Sequence, residues 1–562
     1  MNKQLCWLVA AAVFGLAAAA VGEEPSYFAI RNARIVPVSG PPIQNGTVVI
    51  HNGLIAAVGA AAVIPPAALV IDGKGLTVYP GLIDALSTVG LVEAAAPAAV
   101  PSRAAPPATP PTPAPAAETA RPAQGPEDRP ATTPWVNAAD LISPSEGRIE
   151  SARNAGFTTA LVAPPRGIFA GYSALINLAG ERAGSMVVKT PVALHLTLST
   201  SGSFGSYPGS LMGTLAYVKQ TFLDARHYRQ AWAAYNGGSR GRLRPQYDRA
   251  LEGLQPAASG RILVFLPAHT EVQIRRYLDL GRDLETPFLL YGAHEGYRAA
   301  ELLAERKAPV LVSAKWPEKE RDADPEFQDS LRTLRLRDRA PSTPAALHKA
   351  GVRFAFYSDG IASPGEVLRN VKRAIDAGLP ADAALRALTL SAAEIFGVAD
   401  ALGSIEPGKV ANLVVADGDL FNEKTKIKHV FVDGRKFGVP EEEARPEQPP
   451  AVNVTGVWTV TVQAPEGPRE ITATLRQQGS TVTGSLSGPM GAAEITDGSV
   501  SGNELRFRTS FTMGGRAVEA NVRATVTGSS ISGTVSIPDG PPMNFSGSKP
   551  QGEEQEQEGK VQ

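Results

Sequence analysis

The sequence has very little cysteine, almost no excess charge and no long internal hydrophobic segment. Cys6 is the one cysteine in 562 residues, which excludes a disulfide framework and a zinc site built from cysteines. Lys and Arg number 54 against 55 Asp and Glu, and a net charge of −1 argues against a nucleic-acid-binding protein. The hydrophobic fraction of 43% is enough for a large core. The length predicts about three to four domains.

The N-terminus has the pattern of an export signal. Lys3 precedes an apolar run over residues 5–20, and small residues follow at Ala20 and Gly22. This pattern predicts a signal peptide over residues 1–22 and a periplasmic or secreted protein. The alternative is an uncleaved anchor, but the run is shorter than the about 20 residues that span a bilayer. No later segment is long enough either, so we expect no membrane span after cleavage.

Composition divides the rest of the chain into segments. Residues 26–79 and 401–438 have β-branched runs separated by turn pairs such as Asn52-Gly53, which is typical of hairpins. Residues 93–134 hold twelve prolines and no aromatic residue, so they are expected to form a disordered insertion. Residues 439–452 are predicted to be a linker and 549–562 a disordered tail.

Two further segments are predicted to be folded domains. Residues 135–400 alternate short apolar runs with amphipathic ones, such as a helix predicted from Pro364 to Ala377, which indicates a parallel sheet, open or closed into a barrel. Five buried strands are expected at 156–162, 261–266, 288–291, 310–312 and 352–356. Residues 453–548 alternate strands with Gly-rich turns, and about eight antiparallel strands fit there.

Two motifs bracket the predicted barrel. Residues 79–84 read Tyr-Pro-Gly-Leu-Ile-Asp, and residues 403–415 read Gly-Ser-Ile-Glu-Pro-Gly-Lys-Val-Ala-Asn-Leu-Val-Val. The first resembles the segment that leads into the first barrel strand of the amidohydrolase superfamily, and the second resembles the return to the small β domain of those proteins. The resemblance covers residues 26–438. It implies a (β/α)8 barrel over 80–400 and a composite β-sandwich formed by 26–79 with 401–438.

The resemblance also implies a reaction and a cofactor. The family hydrolyses amide, amidine, cyclic imide or ester bonds of small molecules. A divalent metal, zinc in the first place, lowers the pKa of a bound water at the barrel mouth. Two histidines on the first strand, separated by one residue, hold the first ion, and an aspartate after the eighth strand serves as ligand and base.

The sequence departs from the family pattern at several of these positions. Leu86 and Thr88 stand where the family has its histidine pair, and neither is a good metal ligand. Asp359 matches the eighth-strand aspartate, which implies a catalytic and metal-binding role. His294 matches the sixth-strand histidine and is the other predicted ligand, with His195 and His269 as additional candidates. Arg166, in a loop after a strand, is the candidate for substrate binding.

Three hypotheses follow from these observations. The first is an exported hydrolase of a C–N bond in a small molecule, with a reduced or rearranged metal site. The second is an inactive pseudoenzyme that binds a ligand or partner without holding a metal. The third is a protein whose C-terminal β domain does the binding. A bound metal distinguishes the first from the others, and binding by the fragment 453–548 would single out the third.

Overall fold

The computed structural model describes residues 27–92, 126–198, 207–319, 328–361, 363–439 and 449–549, the last with gaps at 465–466, 489–490, 514–515 and 537–542. The predicted signal peptide and most of the Pro/Ala-rich insertion, the linker and the tail lie outside these residues. The chain divides into two compact units, Met1–Pro440 and Glu441–Gln562. Within the described ranges, no helix is both long and apolar enough to cross a membrane.

The first unit alternates strands and helices over much of its length. Its strands are β1 (Tyr27–Ile35), β2 (Ile43–His51), β3 (Leu54–Gly59), β4 (Leu69–Asp72), β5 (Thr77–Pro80), β6 (Leu82–Ser87), β7 (Phe157–Val162), β8 (Phe169–Tyr172), β9 (Ala174–Asn177), β10 (Val187–Lys189), β11 (Ala193–Leu196), β12 (Leu263–Ala268), β13 (Phe288–Gly292), β14 (Val310–Ser313), β15 (Phe354–Tyr357), β16 (Leu413–Ala416), β17 (Ile427–Val432) and β18 (Arg435–Gly438). Its helices are α1 (Arg148–Asn154), α2 (Ala183–Met186), α3 (Leu211–Asn236), α4 (Arg249–Gly253), α5 (Gln255–Ala258), α6 (Glu271–Asp283), α7 (Gly296–Glu305), α8 (Leu331–Arg339), α9 (Thr343–Lys349), α10 (Pro364–Asp376), α11 (Ala381–Ala387) and α12 (Leu390–Phe396).

Strands from the two ends of the first unit share one sheet. Its order is β18-β17-β16-β5-β1-β2-β3, with β4 beside β1. The hairpin predicted at Asn52-Gly53 is confirmed: it joins β2 to β3, and both turn residues have positive φ, 48° and 81°. Asn412, in the second family motif, is buried and donates to Thr159 and Asn177 at 3.1 and 2.9 Å. This motif therefore ties the sheet to strands β7 and β9.

The strands of the middle segment form two further sheets. One has the order β10-β9-β7-β6 and the other β15-β14-β13-β12-β11-β8. Strands β11 to β15 are mutually parallel, and β6 is parallel to β7, as the strand–helix alternation predicts. Strands β8 and β9 instead run antiparallel to β11 and β7. The reason is the short connection after β7, because a parallel return needs a crossover of a dozen or more residues.

Both faces of these strands are apolar. One face packs against the surrounding helices through residues such as Val264, Leu290 and Val312. On the other face Phe265, Leu289, Leu311 and Ala355 form a second cluster with α12. Strands buried on both faces are typical of sheets covered on each side. The ends of the strands are left to form the site.

Helix α10 follows the sequence prediction closely. Pro364 takes its first position, where the missing N–H costs nothing, and the left-handed Gly378 follows its end. Val367, Val371 and Ala374 are its buried residues. This helix therefore begins directly after the segment that carries Asp359.

The second unit contains one closed antiparallel barrel. Its strands are β19 (Gly456–Ala464), β20 (Gly467–Gln478), β21 (Thr481–Gly488), β22 (Gly491–Ser501), β23 (Glu504–Met513), β24 (Arg516–Thr527), β25 (Ser530–Ser536) and β26 (Met543–Ser548). Each strand pairs with the next, and β26 pairs with β19. Trp458 is fully buried in the core, and its indole N–H donates to the Val454 carbonyl at 2.8 Å. The predicted eight-stranded antiparallel domain is confirmed, and its binding role stays a prediction.

Candidate functional site

A cavity of about 410 Å3 lies at the ends of strands β6, β7, β13 and β15 in the first unit. Among the residues that line it are Asp84, Leu86, Thr88, His195 and Asp359. These residues come from segments that are far apart in sequence. The fold therefore brings together two carboxyl groups and one imidazole.

Asp84 is the most buried acid in this cavity. It lies on β6, lines the cavity and is only 7% exposed. The backbone N–H of Ser358 donates to its Oδ1 at 2.9 Å, and that of Leu86 does so at 3.4 Å. Burial raises the pKa of Asp84 to about 6, although these hydrogen bonds act in the opposite direction. A carboxyl group with such a pKa can hold or release a proton near neutral pH.

Asp359 lies two residues after the end of β15 and lines the same cavity. Its backbone is in the left-handed region, with φ of 52°, and Gly360 follows with φ of 69°. The hydroxyl of Ser313 donates to its Oδ2 at 2.8 Å. The structure thus places Asp359 where the sequence motif predicts it, at the open end of the strands. Its catalytic role stays a prediction.

His195 lies on β11 and is 4% exposed. Its ring is 4.7 Å from that of Phe265, and its Nε2 is buried without a hydrogen-bond partner among the described residues. Burial lowers the pKa of His195 to about 3, so the ring is neutral. An unpartnered buried nitrogen at a cavity wall is available to a ligand.

His269 and His294 lie next to each other but are not among the cavity-lining residues. Their ring centroids are 5.0 Å apart. His294 Nε2 is 3.1 Å from the carbonyl oxygen of Lys315, and Nδ1 of His269 is buried without a partner in the described part of the chain. Burial, and then the neighbouring His269, lower the pKa of His294 to about 4, while Asp359 acts in the opposite direction. The charge of Asp359 therefore acts on both histidines, although neither of them lines the cavity.

Gly292 at the end of β13 explains how His269 fits. Its φ is 105°, and a Cβ atom there would come within 2.6 Å of the His269 ring. Any other residue would be strained and would displace the imidazole. Arg166, in contrast, is exposed on the loop after β7 and is not among the lining residues. Its substrate-binding role stays a prediction.

Asp84, Tyr291 and Tyr357 are among the lining residues that were not singled out from the sequence. Asp84 ends the first family motif, and strand alternation places it on the same face as Leu86, so the signal for it was present. The tyrosines occupy the ends of β13 and β15, and their rings meet edge to face with centroids 6.0 Å apart. Burial raises the pKa of both, and Asp359 adds to this effect.

The residues around the cavity do not fit the metal centre that the family implies. Leu86 offers no donor atom, and both oxygens of Thr88 accept hydrogen bonds from Arg148, at 3.0 and 2.9 Å. A guanidinium charge is thus present where a cation would have to bind. Over the described residues, no group of three or more His, Cys, Asp or Glu side chains is arranged to hold an ion.

Comparisons with known proteins agree on the family. The model of the amidohydrolase family matches residues 298–437. Amidohydrolase tasK of Hapsidospora irregularis is 23% identical over 422 residues, which are 69% of this chain and 39% of that protein. Adenine deaminase of Moorella thermoacetica is 39% identical over 79 residues, 14% of this chain and 13% of that protein. The chain thus spans well under half the length of these two relatives.

A solved structure extends the comparison to the fold. The crystal structure of an amidohydrolase from Thermotoga maritima MSB8 aligns with a TM-score of 0.59 at 25% identity, over 73% of this chain and 100% of that chain. The two sequence motifs, the family match and this structural likeness point in the same direction. The chain belongs to the amidohydrolase superfamily.

Proposed function

We propose that the chain is a hydrolase that acts on a C–N bond of a small molecule, a non-peptide amide or a cyclic amide. The observation that carries the proposal is that Asp84 and Asp359 line one cavity at the ends of the strands. Clefts that hold acids of shifted pKa are typical places for proton-transfer chemistry. Membership of the superfamily adds the reaction class, which is an argument by analogy.

The proposal includes a (β/α)8 architecture for residues 80–400. Seven of the eight barrel strands would be β6, β7, β11, β12, β13, β14 and β15. The eighth would consist of β8 and β9 together, interrupted at Ser173, and would run antiparallel to its neighbours. The hydrogen bond from the Ser358 N–H to Asp84 supports closure between β15 and β6. The eight-stranded sheet would belong to the composite β-sandwich of residues 26–79 and 401–438.

The two aspartates suit two different roles. Hydrolysis of a C–N bond requires a water to lose a proton as its oxygen bonds to the carbonyl carbon. The nitrogen must gain a proton as the C–N bond breaks. Asp359, half-buried and open to the cavity, would take the proton from water. Asp84, whose pKa is about 6, would give a proton to the leaving nitrogen.

A divalent metal, zinc in the first place, supplies an activated water in this superfamily when it is bound. Asp359 and His294 are the two predicted ligands that the chain retains. They are too few to hold a metal tightly, and the Leu86–Thr88 side offers no further ligand. We therefore assign no step of the reaction to a metal.

A second candidate function is a pseudoenzyme that binds a small molecule without converting it. The observation in its favour is the hydrogen-bonding of Arg148 to Thr88, which places a fixed cation beside a position where the family holds its metal. The cavity would then serve binding alone.

One experiment separates the two candidates. The full chain, purified without chelators, is incubated with a panel of amides and cyclic imides, and release of the amine or ring-opened product is followed by mass spectrometry. Turnover that is lost in Asp359→Asn and retained in Asp400→Asn supports the hydrolase. Asp400 is an exposed aspartate outside the lining residues, so it matches the charge change. Ligand binding without turnover supports the pseudoenzyme.

The proposed place of action is the periplasm or the exterior of the cell, and the proposed partner is a small molecule. The support is the apolar N-terminal run with small residues before Glu23. N-terminal sequencing of the protein after export tests this. Sequence beginning at Glu23 is expected, and a retained Met1 would contradict it.

A further inference from the structure

The cavity has an unbalanced set of charges. Asp84 and Asp359 are the two carboxyl groups among its described lining residues, and Arg148 is the one Lys or Arg among them. His195 is also there, but burial keeps its ring neutral. The sum of these lining side chains is therefore negative before any ligand enters.

Arg148 does not neutralise this charge, because its guanidinium is already paired with the carboxylate of Glu146. Its Nε donates to Glu146 Oε1 at 2.9 Å, which forms an ion pair. Its two terminal nitrogens donate to the side-chain and backbone oxygens of Thr88. An incoming carboxylate or phosphate would have to compete with Glu146 for the guanidinium charge.

Two uncharged groups at the wall are also open to a ligand. Nε2 of His195 and the hydroxyl of Tyr357 are buried, and neither has a hydrogen-bond partner in the described chain. Both can accept a hydrogen bond from an N–H donor. The rings of Tyr291 and Tyr357 add aromatic surface, which attracts cations.

One feature favours the opposite sign of charge. Pro364, the first residue of α10, lines the cavity, and a helix N-terminus carries about half a positive charge. Two carboxyl groups outweigh that contribution.

We propose that this cavity takes a small molecule with a positively charged nitrogen group that carries several N–H donors, such as an amidinium or a guanidinium. The charged group would lie between Asp84 and Asp359, and its remaining N–H groups would meet His195 and Tyr357. This inference rests on the proposed function, since it names the substrate class of the same site. It excludes acidic molecules as good ligands.

Three nearly isosteric probes test the sign of charge directly. Benzamidine is cationic, benzamide is neutral and benzoate is anionic at pH 7.5. Each is titrated into the full chain and followed by isothermal calorimetry and by ligand-observed NMR. We expect benzamidine to bind best and benzoate to show no binding. Equal or tighter binding of benzoate, or no binding of benzamidine at millimolar concentration, would overturn the inference.

Variants then locate the binding. In Asp359→Asn we expect the Kd of benzamidine to rise about tenfold or more, because a hydrogen bond to a charged partner is lost. Asp400→Asn serves as the matched control and should leave the Kd unchanged. Asp84→Asn is the second variant, and its fold is checked by circular dichroism before titration. An unchanged Kd in Asp359→Asn would place the probe elsewhere and contradict the proposal.

The outcome is separable from that of the proposed function. Binding of benzamidine without hydrolysis of any substrate would leave this inference intact and support the pseudoenzyme. Hydrolysis of neutral imides by a protein that does not bind benzamidine would support the hydrolase and refute the cationic ligand.

Discussion

The two sides of the cavity differ in what they retain from the superfamily pattern. On the β6 side, Leu86 and Thr88 stand where the superfamily motif predicts a histidine pair, and Arg148 donates to both oxygens of Thr88. On the β13–β15 side, His294 and Asp359 keep their motif positions, and Ser313 orients the Asp359 carboxylate. The β6 side has no histidine but carries the carboxyl group of Asp84, while the β13–β15 side carries both His294 and Asp359. The cavity thus has one carboxyl group on each side, and we propose that these two groups move protons.

The largest expected effect concerns the retained side. Asp359→Asn should reduce hydrolysis by about 100-fold or more, because positioned general acid–base groups contribute about 10²–10⁴. The measurement is kcat/KM on any amide found in the substrate screen, with Asp400→Asn as control. Wild-type activity in Asp359→Asn would show that the retained side is also only structural.

The second effect is on stability and concerns Asp84. Its folded pKa of about 6 is above the ordinary value of 3.8, so the folded state binds a proton that the unfolded state has lost. The stability that this provides is present below about pH 4 and is lost as pH rises through about 6. Two pKa units correspond to about 3 kcal/mol at most.

Asp84→Asn should remove this pH dependence. The variant keeps an oxygen that can accept from the Ser358 N–H. We therefore expect its unfolding free energy to exceed that of the wild type at pH 7 and to approach it at pH 4.5. Urea denaturation at the two pH values measures the difference. A variant that is less stable than wild type at pH 7 would mean that the buried carboxylate is well solvated.

The third effect restores the lost side. The double variant Leu86→His/Thr88→His adds two direct metal ligands. Its zinc affinity should rise by more than about 100-fold, because residues that only hydrogen-bond to ligands already contribute about 10–100-fold. Competition with a chromogenic chelator measures this. Unchanged affinity would mean that the geometry of β6, and not only its side chains, differs from that of a metal site.

The smallest effect concerns Arg148. Arg148→Gln should change the unfolding free energy by less than about 1 kcal/mol, because its ion pair with Glu146 is partly exposed. In the Leu86→His/Thr88→His background, the same change should strengthen zinc binding further by removing a nearby positive charge. Weaker zinc binding after this change would contradict the role given to Arg148.

The sequence predicted much of the fold. The two bracketing motifs led to the superfamily, strand–helix alternation led to the parallel run β11–β15, and the strand and turn spacing led to the eight-stranded C-terminal barrel. The antiparallel β8 and β9 were not expected, because a short strand within a loop looks like any other apolar run. The direction of such a strand becomes visible only when its hydrogen-bonded neighbours in the folded sheet are known.

The site was less predictable than the fold. Asp359 could be placed because a motif marks the end of its strand. The unpartnered Nε2 of His195 and the unpartnered hydroxyl of Tyr357 could not be predicted. Whether a buried polar atom has a hydrogen-bond partner depends on side chains from other strands. Asp84 was within reach, since it lies two residues before Leu86 on the same strand. Its burial, which decides its chemistry, is a property of the folded chain.

The metal content of the full chain, purified without chelators and read by elemental mass spectrometry, tests the central claim most directly. The loss of ligands at Leu86 and Thr88 predicts less than about a tenth of an equivalent of zinc, manganese or iron, unchanged after incubation with excess metal. About one or two equivalents, lost in Asp359→Ala and His294→Ala, would contradict it and restore the metal-dependent reaction of the superfamily.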